Sequence, residues 1–164
     1  GRKPLLIDAD GLNLLAGRME VLAQYPAPVI VTPHLGEFSR ISGVSVEEWK
    51  EAPLYLTKRF AHKYHLTVVC KDSRTVISDG SEEIFINTSG NSGMATAGSG
   101  DVLSGILMGL LAQGLSAIDA ASLGVYFHGA AGDMAAAQKG EYSMIAGDII
   151  TQTAEILKKR GAVL

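Results

Sequence analysis

The chain has 164 residues, enough for a single domain with one substantial core and too few for two ordinary domains. Hydrophobic residues make up 47% and charged residues 19%, which describes a globular chain and excludes a disordered one. Fourteen basic against seventeen acidic residues leave a net charge of −3, which argues against a nucleic-acid surface.

No apolar run approaches the roughly 20 residues of a membrane span. No charged-then-apolar start suggests a secretory signal. Cys70 is the single cysteine, so no internal disulfide forms, and a reducing, cytoplasmic setting is expected. The nineteen glycines exceed the usual share and cluster, as expected where backbone is brought close to a ligand.

In chain order, the run from Leu5 to Ala9 predicts a buried strand of a parallel sheet, ending at Asp8 and Asp10. A chain that opens inside a strand without Met fits two readings. It is either the later part of a longer protein or a tag scar ahead of a true first strand. Gly11 to Gly17 predicts a short helix. Val29-Ile30-Val31 is a second buried strand, stopped by Pro33. His34 to Ser42 predicts a turn or two of helix. Ser45 with Glu48 forms a capping box for a helix towards Tyr64, which Pro53 should end or kink.

Leu66 to Lys71 is a third strand. Arg74 to Ser78 and Glu83 to Asn87 flank Asp79-Gly80, a hairpin signal. The remainder predicts three helices. The first carries Val102, Leu103, Ile106, Leu110 and Leu111 on one face. The second runs from Ser116 to about Ala137, and the third from about Ala146 to Lys159. This order predicts one three-layer α/β domain over residues 1–164, with a mostly parallel sheet.

Four segments carry chemistry. The first is Asn91 to Asp101, glycine-rich and leading into an amphipathic helix. Gly98 and Gly100 let an anion approach the backbone, and the helix start offers unpaired N–H groups, together an anion hole suited to a phosphoryl group. Asp101 in the first turn could accept a proton from an attacking hydroxyl. The alternative is a glycine-rich turn with Asp101 as a cap. The motif is not a P-loop, since no Gly-Lys-Ser/Thr follows, and it comes too late for a dinucleotide fingerprint.

The second segment, Thr32 to Glu37, follows a strand, where ligands of open parallel sheets are expected. His34 could hydrogen-bond a substrate and Glu37 could hold magnesium through water; equally, Glu37 could simply favour a helix start. The third, Lys71-Asp72-Ser73-Arg74-Thr75, is either a phosphate-contacting loop or a charged hairpin turn. The fourth, Asp8 to Asn13, reads as paired carboxylates or as helix capping. His128, beside Gly129, reads as a packing residue rather than a ligand.

Together, Asp8-Ala9-Asp10-Gly11-Leu12-Asn13, Thr32-Pro33-His34-Leu35-Gly36-Glu37, the Lys71–Thr75 loop and Gly93-Met94-Ala95-Thr96-Ala97-Gly98-Ser99-Gly100-Asp101 resemble the ADP/ATP-dependent NAD(P)H-hydrate dehydratase family of the ribokinase-like superfamily. The resemblance covers essentially the whole chain. It implies a ribokinase-like fold and a hydro-lyase that repairs hydrated NADH or NADPH, phosphorylating the ring hydroxyl and eliminating phosphate.

It further implies Asp101 as the catalytic base and a hydrate contact, and Ala97, Gly98, Ser99 and Gly100 as the anion hole. Lys71, Asp72, Ser73, Arg74, Thr75 and Gly100 become nucleotide contacts. His34 becomes a hydrate contact, and Glu37 a water-mediated magnesium residue. ADP or ATP is the implied phosphoryl donor, and a homo-oligomer is implied as well. Three positions depart from the family pattern: Asp72 and Gly11 replace Gly and Ala, and Ser92 replaces Pro. Family members are also longer, so the chain is expected to be the C-terminal portion of a domain whose upstream segment adds strands and finishes the substrate pocket. A ribokinase-like kinase for a vitamin precursor or sugar, and an inactive nucleotide-binding remnant, are the competing readings.

Overall fold

The computed structural model describes residues 3–159. Five strands form one sheet in the order β1 (Leu5–Ile7), β2 (Val29–Val31), β3 (Thr67–Cys70), β4 (Thr75–Ser78) and β5 (Phe85–Asn87). The first three run parallel, with Leu5 opposite Val29 and Ile30 opposite Thr67. The remaining pairings are antiparallel: β4 with β5, as the hairpin signal at Asp79-Gly80 requires, and β3 with β4 across the 71–74 loop. The expected parallel sheet therefore occupies one half, and the hairpin extends it on the other.

Strand alternation divides the core in two. Ile30, Val69 and Ile77 face one side, covered by α6 (Ser99–Ala112), α7 (Ala117–Lys139) and α8 (Ala146–Lys159). Leu103, Leu107, Val125 and Ile149 fill that layer. Val29, Val31, Val68, Cys70 and Val76 face the other side. There they meet α1 (Asp10–Leu15), α2 (Glu20–Ala23), α3 (Leu35–Ser42), α4 (Val46–Glu51) and α5 (Pro53–Tyr64) through Leu12, Leu22, Phe38, Trp49 and Phe60. Both faces of the central strands are thus covered, which is why those strands read as unbroken apolar runs. The result is the three-layer α/β arrangement expected from the sequence.

Local chemistry sets the boundaries. Ser45 Oγ accepts from Glu48 N–H, Glu48 returns a bond to Ser45 N–H, and α4 begins there. Pro53 opens α5 at its first position, where its missing N–H removes nothing from the helix. The predicted single helix is therefore two, parted at Ala52. Two short elements were not predicted: a 3-10 turn at Ser92–Met94, and α2, a single turn too short for periodicity to register and held by buried Met19 and Leu22.

Beyond the strands proper, Lys71 N–H donates to Pro33 carbonyl at 2.7 Å, and His34 and Lys71 form an isolated parallel bridge. This short extension sets the loops after β2 and β3 side by side at the carboxyl end of the sheet. No helix among the described residues is long and apolar enough to cross a membrane.

Candidate functional site at the start of helix α6

The glycine-rich segment ends in a helix start of unusual geometry. Gly98 caps α6 with φ +85°, a left-handed conformation that suits a residue without Cβ. Its carbonyl accepts from Val102 N–H at 3.1 Å, while Ser99 N–H turns back to the Thr96 carbonyl at 3.2 Å. The N–H groups of Ala97, Gly98, Gly100 and Asp101 have no hydrogen-bond partner among the described residues. Of the four residues expected to form an anion hole, Ser99 therefore has its amide already engaged. Its neighbours and Asp101 carry the open donors, at the positive end of the helix dipole.

Two strand ends close on this helix start. A Cβ placed on Gly100 would lie 3.6 Å from Asp8 Oδ2 and 3.7 Å from Lys71 Nζ. Lys71 Nζ donates to Asp8 Oδ1 at 2.9 Å, and Ser104 Oγ donates to Asp8 Oδ2 at 3.2 Å. Burial alone would raise the Asp8 pKa. The Lys71 hydrogen bond and charge, with the Ala9 N–H, outweigh it and hold the carboxyl below its usual range. The fully buried Thr32 hydroxyl makes no hydrogen bond of ordinary geometry, yet it also helps lower the Asp8 carboxyl. Asp8, read from sequence as a cap or one of a carboxylate pair, is instead the counter-ion of Lys71.

A cavity of about 720 Å³ opens beside Gly100. Its wall includes His34, Lys71, Asp72, Ser73, Thr75, Ser99 and Gly100 of the residues singled out from the sequence. Asp101, Ala97, Gly98 and Arg74 are exposed and do not line it, and Glu37 is buried away from it. The opposite wall is the 87–96 segment. Asp133 of α7 fixes that segment by accepting from Gly90 N–H at 2.9 Å and Asn91 Nδ2 at 3.0 Å.

His34 caps α3. Its Nδ1 accepts from Gly36 and Glu37 N–H at 3.0 and 3.3 Å, so the proton of the neutral ring sits on Nε2. Glu37 Oε2 accepts from His34 N–H at 2.9 Å, and Oε1 lies 3.4 Å from His34 Nε2. Glu37 therefore occupies the helix-start role that was one of its two sequence readings.

Among the described residues no three His, Cys, Asp or Glu side chains gather as a metal site. Magnesium ordinarily keeps several waters and takes one or two carboxylates alongside substrate phosphates. The cavity wall fits such a hydrated, phosphate-bound ion and does not fit a protein-built cage, and Glu37, buried away from that wall with its carboxylate on His34, is no direct ligand there.

Sequence reasoning missed three partners: Ser104, Asp133 and the contact of His128 with Ser99. His128 Nε2 lies 3.0 Å from Ser99 carbonyl oxygen and 3.3 Å from Ser99 Oγ. Its position beside Gly129 gave no hint of a partner 29 residues away. Burial chiefly, with the Lys71 charge, lowers the His128 pKa to about 4 against the opposing effect of the Ser99 hydrogen bond. The ring is neutral near pH 7. Chemically, the arrangement offers amide donors and one ammonium for an anion, with an exposed carboxylate in the next position.

A three-layer α/β domain with a glycine-rich helix start at the carboxyl end of its sheet is the ribokinase-like class of fold. The profile of the NAD(P)H-hydrate dehydratase family matches residues 1–155, and the chain belongs to that family. It is 46% identical over 147 residues to a bifunctional NAD(P)H-hydrate repair enzyme of Moorella thermoacetica, covering 90% of this chain and 28% of that protein. It is 39% identical over 150 residues to the ADP-dependent (S)-NAD(P)H-hydrate dehydratase of Neisseria meningitidis, covering 90% of this chain and 51% of that protein. The crystal structure of the ADP/ATP-dependent NAD(P)H-hydrate dehydratase from Bacillus subtilis, co-crystallized with ATP/Mg2+, superposes with a TM-score of 0.85 at 30% identity. That match covers 97% of this chain and 56% of the other. The chain therefore spans between about a quarter and three fifths of the length of these proteins.

Proposed function

We propose that the protein carrying this chain is a nucleotide-dependent hydro-lyase that restores hydrated NADH and NADPH. The observation that carries this is the start of α6, where the unpartnered Gly100 amide and the Lys71 ammonium meet at one cavity and the exposed Asp101 follows in the next position of the same helix turn.

Hydroxide on the hydrated nicotinamide ring is a poor leaving group. In the proposed sequence the Asp101 carboxylate accepts the hydroxyl proton as that oxygen attacks the terminal phosphorus of ADP or ATP. The bond from phosphorus to the departing nucleotide oxygen breaks. The amides around Gly98 and Gly100, with Lys71, hold the transferring phosphoryl charge. The ring nitrogen lone pair then expels the phosphate ester oxygen, and the adjacent ring carbon loses a proton. The net change is loss of water from the ring, with one phosphate released per nucleotide cleaved.

Lys71, Asp72, Ser73 and Thr75 line the nucleotide side in this reading, with Arg74 reaching in from the exposed turn, and the half-exposed His34 ring meets the hydrate. Magnesium arriving with the nucleotide would be held by phosphate oxygens and waters and would neutralise phosphoryl charge. The outer edge of β1, with half-buried Leu5, Leu6 and Ile7, is where further sheet of the whole protein would pair.

The test is nucleotide turnover by the complete gene product with hydrated NADH present or absent. The expected result is phosphate release and recovery of the reduced-nicotinamide absorbance in equal amounts, only when hydrate is supplied. Turnover on vitamin precursors or sugars without hydrate would replace this reading with a small-molecule kinase. Nucleotide binding without turnover on any acceptor would make the protein a binding remnant.

A further inference from the structure

His128 stands on α7, yet its polar contact is with the first residue of α6. Its Nε2 is 3.0 Å from the Ser99 carbonyl oxygen, with Ser99 Oγ at 3.3 Å. A carbonyl oxygen only accepts, so Nε2 carries the proton and donates it. The Ser99 carbonyl and the Gly100 N–H belong to one peptide unit. The Gly100 N–H is one of the unpartnered donors of the anion site, whereas Ser99 N–H is engaged with Thr96. With Ser99 removed from the set of donors, the orientation of the Gly100 amide matters more.

We propose that His128 is a positioning residue for the anion site: its Nε2–H holds the Ser99–Gly100 peptide plane and polarises it, so that the Gly100 N–H is aimed at the bound phosphoryl group. Two physical effects act together. A donor on the carbonyl strengthens the N–H of the same peptide as a donor, by roughly 10–30%. A fixed peptide plane spares the site from reorganising as charge develops. The ring suits this task because it is neutral. An imidazolium there would be repelled by the Lys71 charge. Ser99 is buried and His128 half-buried, so water does not compete freely for the bond. The proposal rests on the phosphoryl-binding reading of α6.

The test uses the complete gene product and the variants His128→Leu and His128→Gln, the second retaining an N–H donor. His128→Leu is expected to lower kcat on hydrated NADH by about 30-fold with KM for the hydrate changed less than about threefold, and His128→Gln to recover most of that loss. In amide NMR spectra, ADP should shift the Gly100 proton downfield in the parent protein and clearly less in His128→Leu.

A Gly100 amide that ignores ADP in the parent protein would overturn the phosphoryl reading itself. A parent-like shift or parent-like kcat in folded His128→Leu would overturn only the role of His128. Failure of folded His128→Gln to exceed His128→Leu would do the same. If neither variant folds, the ring nitrogens of the unmodified protein decide. A neutral, Nε2-protonated ring from about pH 5.5 to 8 is expected, and an Nδ1-protonated or charged ring overturns the proposal.

Discussion

Asp101 combines an exposed carboxylate with a place in the first turn of α6, one residue past the Gly100 amide. Asp101→Asn keeps the shape and removes the proton acceptor. It is expected to lower kcat on hydrated NADH by about 10²–10⁴-fold while ADP affinity changes less than about threefold, read by steady-state rates and calorimetry. A variant within about tenfold of the parent, a barrier change of only ~1.4 kcal/mol, would remove Asp101 as the base.

His128 supplies a second prediction at this scale, through stability. Its pKa falls from 6.5 to about 4 on folding, so between those values the unfolded chain binds more protons than the folded one. Stability therefore rises with pH across that window. Its His128 component is fully present above pH 6.5 and is lost towards pH 4 at about 1.4 kcal/mol per pH unit. Asp8 acts lower: its stabilisation is present above its unfolded value of 3.8 and disappears as pH falls through its depressed folded value. Urea unfolding midpoints between pH 7 and 4 should thus decline in the parent and flatten in His128→Gln. An equal slope in both would assign the decline to other groups.

At the scale of elements, α7 approaches the 87–91 loop through Gly129. A Cβ there would meet Ser89 Oγ and come within 2.7 Å of the Ser89 carbonyl oxygen. Backbone cannot yield as a side-chain tip can, so Gly129→Ala should displace the loop that forms one cavity wall. The expected cost is about 1–3 kcal/mol, seen in denaturant unfolding, together with weaker ADP binding. A parent-like stability would mean that the loop moves freely.

Legibility followed range along the chain. The Ser45–Glu48 box, Pro53 and the three apolar strand runs are local signals, and the structure follows them. The anion-hole segment was legible because its glycines and the helix after it are contiguous. Contacts that cross the chain were not. Lys71 meets Asp8 across 63 residues and Ser104 meets Asp8 across 96, so no spacing rule could pair them. Glu37 offered two readings that local sequence could not separate, because a helix cap and a metal contact need the same carboxylate in the same turn. The four-residue α2 is stable only through burial and carries no periodic signal of its own.

At the scale of the molecule, the sheet separates two apolar layers while the site draws on both. His34 leads from the sheet into α3, Lys71 follows β3, and Ser99, Gly100 and His128 belong to helices of the opposite layer. The site then keeps its geometry only if the layers fold as one unit. Ile149 of α8 and Ile41 of α3 lie in different layers, 0% and 5% exposed, and serve as probes. Each Ile→Val change removes one methylene and should cost about 0.5–1.5 kcal/mol. They share no apolar cluster, so the double variant should lose the sum within about 0.5 kcal/mol, with one transition and an unchanged denaturant slope. Fluorescence of Trp49, which lies in the α1–α5 layer, and far-ultraviolet circular dichroism over the whole chain should trace that transition together. If Ile149→Val instead moved the dichroism transition and left the Trp49 transition in place, the layers would be separable. The α6 helix start could then loosen from Lys71 and Asp8 while the other layer stayed folded.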